Sequence, residues 1–191
     1  MISATWFYIL VNVTAAVSIG LGVLFPAIGQ ARAAAAAAEA TARQPDESDV
    51  ISRTLYIGLA MIESQALYVL IVTLILLFAN PLEGRVSEAA AQGGDAMWFL
   101  ILASVGAAAA INLGTMLASI GQGKVVESAV ESIAEQPEAR DEISRSLYIS
   151  LALLESLALY ALIVSLILLY ANPLLETALG AGERGGDRYR R

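Results

Sequence analysis

Long apolar runs alternate with short polar segments along this chain. Four runs stand out, at residues 4–29, 56–79, 96–123 and 147–171. The first and third contain no charged residue, and the second and fourth contain one glutamate each. A helix that crosses the hydrocarbon core of a membrane needs about 20 apolar residues. The pattern therefore predicts an all-α membrane protein with four transmembrane helices.

The pattern repeats at an offset of 92 residues. Residues 50–82 match residues 142–174 at 24 of 33 positions, whereas residues 17–49 match residues 109–141 at only 12 of 33. A repeat of this length indicates a duplicated supersecondary unit. In each copy a polar Gln-Pro segment interrupts the helical pattern. The chain is therefore predicted to form two tandem antiparallel helical hairpins.

The two hairpins are expected to be separated and followed by more polar segments. The predicted order is a first hairpin at 1–81 with its loop near 43–49, a linker at 82–95, a second hairpin at 96–174 with its loop near 135–141, and a flexible tail at 175–191. The first and third spans are rich in Ala and Gly, which allow transmembrane helices to approach closely. We expect these two spans to pack tightly.

Composition supports a membrane protein and excludes several kinds of chemistry. Of the 191 residues 58% are hydrophobic, and the mean hydropathy is +0.68. The chain has no cysteine and no histidine, which excludes disulfides, thiol chemistry and the commonest transition-metal ligand. A net charge of −7 argues against binding to nucleic acid. The N-terminal run lacks a basic start, so we do not expect a cleaved signal peptide.

The two intramembrane acids can be placed by counting from the loops. Glu63 and Gln30 are equidistant from position 46.5, and Glu155 and Gln122 are equidistant from position 138.5. Both midpoints lie in the predicted loops, so each glutamate should lie at the depth of a glutamine on its partner helix. About 17 residues of helix span about 25 Å, which is near mid-membrane if the helices extend past the lipid surface.

An ionised carboxylate at that depth costs at least about 2.5–3.5 kcal/mol. It should therefore be protonated or neutralised by a cation. Ser64 and Ser156 directly follow the two acids, and Tyr68 and Tyr160 lie five residues after the acids. Such oxygen donors suit a hard cation better than a transition metal. A single protonated glutamate that only packs is the alternative, but two copies in the same register argue against it.

These residues resemble the c subunit, or proteolipid, of F- and V-type rotary ATPases. The segment GQGKVVESAVESIAEQPEARDEISRSLY is similar to the family's first-helix end, polar loop and second-helix start. The segment LALLESLALYALIVSLILLYANP is similar to its carboxylate-bearing helix. The resemblance covers about residues 15–81 and 107–173. It implies a ring that rotates against a stator, in which each carboxylate binds an ion, releases it near a stator arginine and reloads.

The resemblance also implies which residues bind the ion. Sodium-binding members pair the glutamate with a glutamine, the next serine, a tyrosine and a backbone carbonyl. The implied ligands are Gln30, Met61, Glu63, Ser64 and Tyr68 in the first copy, and Gln122, Leu153, Glu155, Ser156 and Tyr160 in the second. Proton-binding members usually lack the full set, so the resemblance implies two Na⁺ sites per chain. A proton-binding ring stays open as the alternative.

Two departures from the family pattern affect the expected ring. The glycine ladder is reduced to Gly20, Gly22 and Gly29 in the first span and to Gly114, Gly121 and Gly123 in the third. The residue after the serine is Gln65 in one copy and Leu157 in the other, so a water held there should differ. Because family sites are shared by neighbouring hairpins, we expect half of the sites within one chain and half between chains.

Partners and orientation follow from the same resemblance. We expect a homo-oligomeric ring that contacts a stator a-type subunit and central-stalk subunits, in a bacterial or archaeal cytoplasmic membrane. The chain has no phosphate-binding loop, so it should not bind a nucleotide directly or be catalytic alone. The Gln-Pro loops should be cytoplasmic, with nearby basic residues following the positive-inside rule, and both termini should lie outside. The arginine-rich tail argues the other way.

Two further functions remain open at this stage. A small four-helix transporter could exchange protons for a substrate, which requires a substrate cavity with aromatic residues around each glutamate. The sequence near Glu63 and Glu155 offers mainly aliphatic residues and one tyrosine each. A purely structural bundle would give no reason to repeat a costly acid.

Overall fold

The computed structural model describes residues 3–92 and 94–186, and all regular structure in them is helical. The helices are α1 (Ala4–Arg43), α2 (Ser48–Phe78), α3 (Val86–Gln92), α4 (Gly94–Glu135), α5 (Arg140–Tyr170) and α6 (Leu175–Gly186), with 3₁₀ turns at Pro45–Glu47, Pro81–Arg85 and Pro137–Ala139. Four of them, α1, α2, α4 and α5, belong to segments long and apolar enough to cross a membrane. The prediction of an all-α protein with four spans is confirmed.

Each hairpin turns at its Gln-Pro pair. The backbone N–H of Gln44 donates to the Ala40 carbonyl and that of Gln136 donates to the Ser132 carbonyl, each at 2.9 Å. The proline that follows cannot donate a backbone hydrogen bond, so the helix ends and a 3₁₀ turn begins. Both turns lie within the loop ranges expected from the sequence.

The four long helices pack in two layers that do not close into a bundle. α1 and α4 lie side by side in one layer, α2 packs in the groove between them, and α5 packs on the far side of α4 and against α2. A Cβ atom added to Gly123 would lie 2.6 Å from the Cα atom of Gly29, so the two backbones touch there. The predicted close packing of the first and third spans is confirmed.

A buried polar layer divides the apolar core. One apolar cluster lies towards the Gln-Pro loops and includes Ala33, Ile51, Val126, Ile133 and Leu151; the other lies towards the opposite end and includes Phe7, Val69, Leu76, Met97 and Ile111. Between them lies the polar layer, formed by Gln65, Thr115, Ser119 and Gln122, whose side chains are buried. The hydroxyls of Thr115 and Ser119 donate to carbonyls one turn back on their own helix. The two glutamines instead point their amides towards a carboxylate.

The structure differs from the prediction of a flexible tail at 175–191. The chain is helical from Leu175 to Gly186, and Leu179 is buried against the apolar cluster at the end away from the loops. The guanidinium group of Arg85 pairs with Glu176 at 2.8 Å. Leucines four residues apart give α6 an apolar stripe, which the tail prediction does not take into account. The prediction for residues 187–191 lies outside the described part of the chain.

Candidate ion-binding site

The carboxylate of Glu155 lies in a cradle of four donors. The Ser64 hydroxyl oxygen lies 2.9 and 3.1 Å from its two oxygens, within donating distance of either, and Oε1 accepts a hydrogen bond from the Tyr68 hydroxyl at 2.5 Å. Oε2 also accepts from the amide Nε2 atoms of Gln65 at 2.7 Å and Gln122 at 3.1 Å. The glutamate is therefore held by neutral donors, with no cationic side chain among its hydrogen-bond partners in the described part of the chain.

Three helices from both hairpins build this cradle. Ser64 and Tyr68 lie four residues apart and share one face of α2, with Gln65 beside them. Gln122 comes from α4 and Glu155 from α5. The neighbouring Gly123 lets α4 touch α1 at this depth, which keeps Gln122 fully buried. The close approach of the inner helices thus positions one of the two amides.

Two buried oxygen atoms next to Glu155 have no hydrogen-bond partner among the residues that the structure describes. They are the amide Oε1 atoms of Gln65 and Gln122, and both side chains are 0% exposed. Leaving a buried polar atom unpaired costs free energy, so such atoms call for a partner. Carbonyl-type oxygens beside a carboxylate are donors that suit a hard cation. The Met61 carbonyl oxygen, 2.6 Å from the Ser64 hydroxyl oxygen, adds a further oxygen close by and is an alternative acceptor for the single Ser64 proton.

Glu63 has one such donor among the described residues, compared with four at Glu155. Gln30 Nε2 donates to Glu63 Oε2 at 2.7 Å, as counting from the turn predicts, but the carboxylate lies on an exposed face of α2. The second-copy hydroxyls do not reach it. The Ser156 hydroxyl donates to the Leu153 carbonyl at 2.8 Å, and Tyr160 is 60% exposed on the outer face of α5.

The structure groups the implied ligands differently from their order in the sequence. Ser64 and Tyr68 follow Glu63 in the chain, but they contact Glu155 of the other hairpin. One turn of helix carries consecutive side chains to different faces, so a serine next to a glutamate cannot share its neighbour's direction. The expected sharing of a site between hairpins describes this geometry better than a set within one hairpin.

Gln65 is the residue of this site that sequence reasoning does not assign. In the sequence it stands out only as a difference between the copies, whereas the structure has its amide on Glu155. Its presence in an apolar run of α2, one position after a serine that contacts a carboxylate, is the available signal. Polar residues inside a membrane span are functional more often than not.

Four membrane spans around a carboxylate held by amides and hydroxyls are typical of integral membrane proteins that move ions. The family model that describes the ATP synthase c subunit matches residues 13–76 and 105–168, once in each hairpin. The chain belongs to this family of ATP synthase c subunits. It is thus a c-type rotor subunit, of the kind that binds the coupling ion of an ATP synthase.

Known relatives correspond in length to one hairpin of this chain. The chain is 57% identical over 70 residues to ATP synthase c subunit 2 of Cereibacter sphaeroides, an alignment that covers 37% of this chain and 84% of the relative. It is 47% identical over 83 residues to ATP synthase c subunit 1 of Pelobacter propionicus, covering 44% and 91%. For the ATP synthase c subunit of Syntrophobacter fumaroxidans the identity is 46% over 83 residues, with the same coverage. One chain here therefore contains two such units.

Proposed function

We propose that this chain binds Na⁺ on both Glu63 and Glu155 as part of a rotating ring, with two ion sites per chain. The observation that carries the proposal is the cradle at Glu155, where two buried amide oxygens without a hydrogen-bond partner lie next to a carboxylate. A proton on the carboxyl group could be donated to at most one of those oxygens. A cation would engage both.

Each residue of the Glu155 site would have a distinct role. The Glu155 carboxylate supplies the negative charge, and the Gln122 amide oxygen, the Ser64 hydroxyl and the Met61 carbonyl supply neutral oxygens. The Tyr68 hydroxyl, which donates to Glu155 Oε1, keeps the carboxylate turned towards α2. Loading neutralises the acid before it meets lipid, and release requires a competing positive charge, which the family's stator arginine would provide.

The open face of α4 and α5 supports assembly with further copies. A cavity of about 610 Å³ lies there, and Ser150 is in its wall. The counterpart of Ser150 in the first hairpin is Gly58, which contacts Val126 of α4. The counterpart of Val126 is Ala34 on α1. The second hairpin is related to the first by one rotation and shift. A second copy placed next to the second hairpin by that same movement would insert its α1, near Ala34, into this cavity.

The same movement would complete the site at Glu63. The half-buried Ser156 and the exposed Tyr160 of α5 would face Glu63 of the next copy as Ser64 and Tyr68 face Glu155. The Leu153 carbonyl would take the place of the Met61 carbonyl. A head-to-tail interface of this kind closes into a ring when the rotation allows it.

Orientation and partners are part of the proposal. The Gln-Pro loops would face the cytoplasm and contact the central-stalk subunits, and both termini would lie outside. The helices α2 and α5, which carry the glutamates, would meet the stator a-type subunit. Basic residues near the loops support this orientation through the positive-inside rule. Nucleotide chemistry would belong to other subunits of the assembly.

Carbodiimide labelling of the purified ring tests the bound ion, because the reagent attacks protonated buried carboxyl groups. We expect Na⁺ at neutral pH to protect both Glu63 and Glu155, since a bound cation keeps each carboxylate ionised. Labelled peptides are counted by mass spectrometry, with K⁺ at equal ionic strength as the control. Labelling that Na⁺ does not reduce at either glutamate would show a proton-binding ring instead.

A further inference from the structure

The two ion sites of the chain differ at one position that contacts the carboxylate. At Glu155 the side chain after the serine is Gln65, which is fully buried and donates from Nε2 at 2.7 Å. The equivalent position of the second hairpin is Leu157, which is 57% exposed on the outer face of α5. The repeat is otherwise faithful here, because Glu, Ser and Tyr recur at the same spacing.

The arrangement within the chain shows which site each of these residues would serve. Gln65 lies on α2 but reaches Glu155 of the second hairpin. By the same register, Leu157 would reach Glu63 of the next copy, together with Ser156 and Tyr160. The site inside a chain then has two amides, from Gln65 and Gln122. The site between chains has one, from Gln30.

The extra amide acts on the bound cation in two ways. Its N–H group donates to Glu155 Oε2 at 2.7 Å and so holds the carboxylate in place for the cation. Its Oε1 atom is buried and unpartnered, and so it is available as a further oxygen ligand. Leucine supplies neither group.

We infer that the two ion sites of each chain are inequivalent, and that the Glu155 site binds Na⁺ more tightly because Gln65 completes it. The inference rests on the proposed sodium ring. Sites within chains then alternate around the ring with weaker sites between chains. Successive ion releases at the stator alternate between a tight and a weak site.

The size of the difference follows from the hydrogen bond involved. A hydrogen bond to a charged group changes an equilibrium by about tenfold to a hundredfold. We therefore expect Na⁺ to protect Glu155 from carbodiimide at a concentration at least about tenfold below that needed for Glu63. The experiment uses the assembled ring at one fixed pH, and the two labelled peptides are quantified separately across a sodium series.

Two reciprocal variants identify the cause. Gln65→Leu should move the sodium midpoint of Glu155 up to that of Glu63 and leave Glu63 unchanged. Leu157→Gln should move the Glu63 midpoint down towards that of Glu155, and because Leu157 is exposed in the single chain this variant should fold even if Gln65→Leu does not.

The outcomes separate this inference from the proposed function. Equal sodium midpoints in the unmodified ring would overturn the inequivalence and leave the sodium ring intact. A difference that persists in Gln65→Leu and that Leu157→Gln does not reduce would also overturn it. An absence of sodium protection at both glutamates would overturn the proposed function and the inference together.

Discussion

At the scale of single residues, the site depends on side chains that act across the boundary between hairpins. Ser64 and Tyr68 hold the carboxylate of Glu155, although both lie close to Glu63 in the chain. Within the described part of the chain, their own neighbour Glu63 has one hydrogen-bond partner, Gln30. The direction in which a helix presents each side chain, rather than distance along the sequence, decides which acid it serves.

This crossing leads to a prediction for the two serines. Ser64→Ala should raise the sodium concentration that protects Glu155 by about tenfold, because it removes a hydrogen bond to a charged group. It should leave Glu63 unaffected, although Glu63 is adjacent in the sequence. The measurement is sodium protection of each glutamate against carbodiimide.

Ser156→Ala is the matched variant. It should weaken sodium protection at Glu63 of the neighbouring chain and leave sodium protection at Glu155 unchanged. If Ser64→Ala weakened sodium protection at Glu63 instead, each site would be confined to one hairpin, and the proposed sharing of sites between hairpins would be wrong.

At the scale of secondary-structure elements, contact between α1 and α4 fixes the depth and burial of the site. The Cα atom of Gly29 and a Cβ atom added to Gly123 would be 2.6 Å apart, which is shorter than carbon atoms tolerate. Gln30 and Gln122 are the chain neighbours of these glycines. The reduced glycine ladder thus keeps its glycines where the two amides must reach the carboxylates.

Gly123→Ala should therefore destabilise the assembled protein by about 1–3 kcal/mol, the usual cost of forcing an extra methyl group into a packed interface. It should also weaken sodium protection at Glu155, because Gln122 shifts with the backbone. Thermal melting of the detergent-extracted complex measures the first effect.

Gly106→Ala is the control in the same helix, since an added Cβ there would meet only the Leu168 side chain at 3.7 Å, an ordinary contact. Equal melting temperatures for the two variants would contradict the close approach at Gly123.

At the scale of the whole molecule, the four long helices form an open row with α1 and α2 at one end and α5 at the other. The first hairpin is covered by α4, whereas the matching groove of the second hairpin is the cavity beside Ser150. The site at Glu63 and the groove beside Ser150 would both be covered by further copies that are placed as the second hairpin is placed on the first. Each duplicated chain therefore contributes two neighbouring hairpins to the ring.

Native mass spectrometry of the extracted complex checks this expectation. We predict a single large assembly whose mass is a whole multiple of 20.0 kDa, with two reactive glutamates per chain. Glu63→Gln should keep the assembly and halve the number of labelled sites. A monomer or dimer as the largest species would instead favour a small transporter.

The sequence by itself determined the four spans, the two hairpins, their turns and the depth at which each glutamate meets a glutamine. Hydrophobic runs, prolines and a 92-residue repeat are local signals, and an antiparallel hairpin converts them into depth by simple counting. The helix α6 was not predicted from the sequence, because a short amphipathic helix among Gly and charged residues has the composition of a polar tail.

Only the tertiary structure decided that Ser64, Gln65 and Tyr68 gather around Glu155. It also decided that the site at Glu63 is incomplete within one chain. These outcomes depend on how α2 and α5 are rotated against each other. That rotation is set by packing over the whole interface, through contacts such as Gly29 with Gly123, and no local run of residues encodes it.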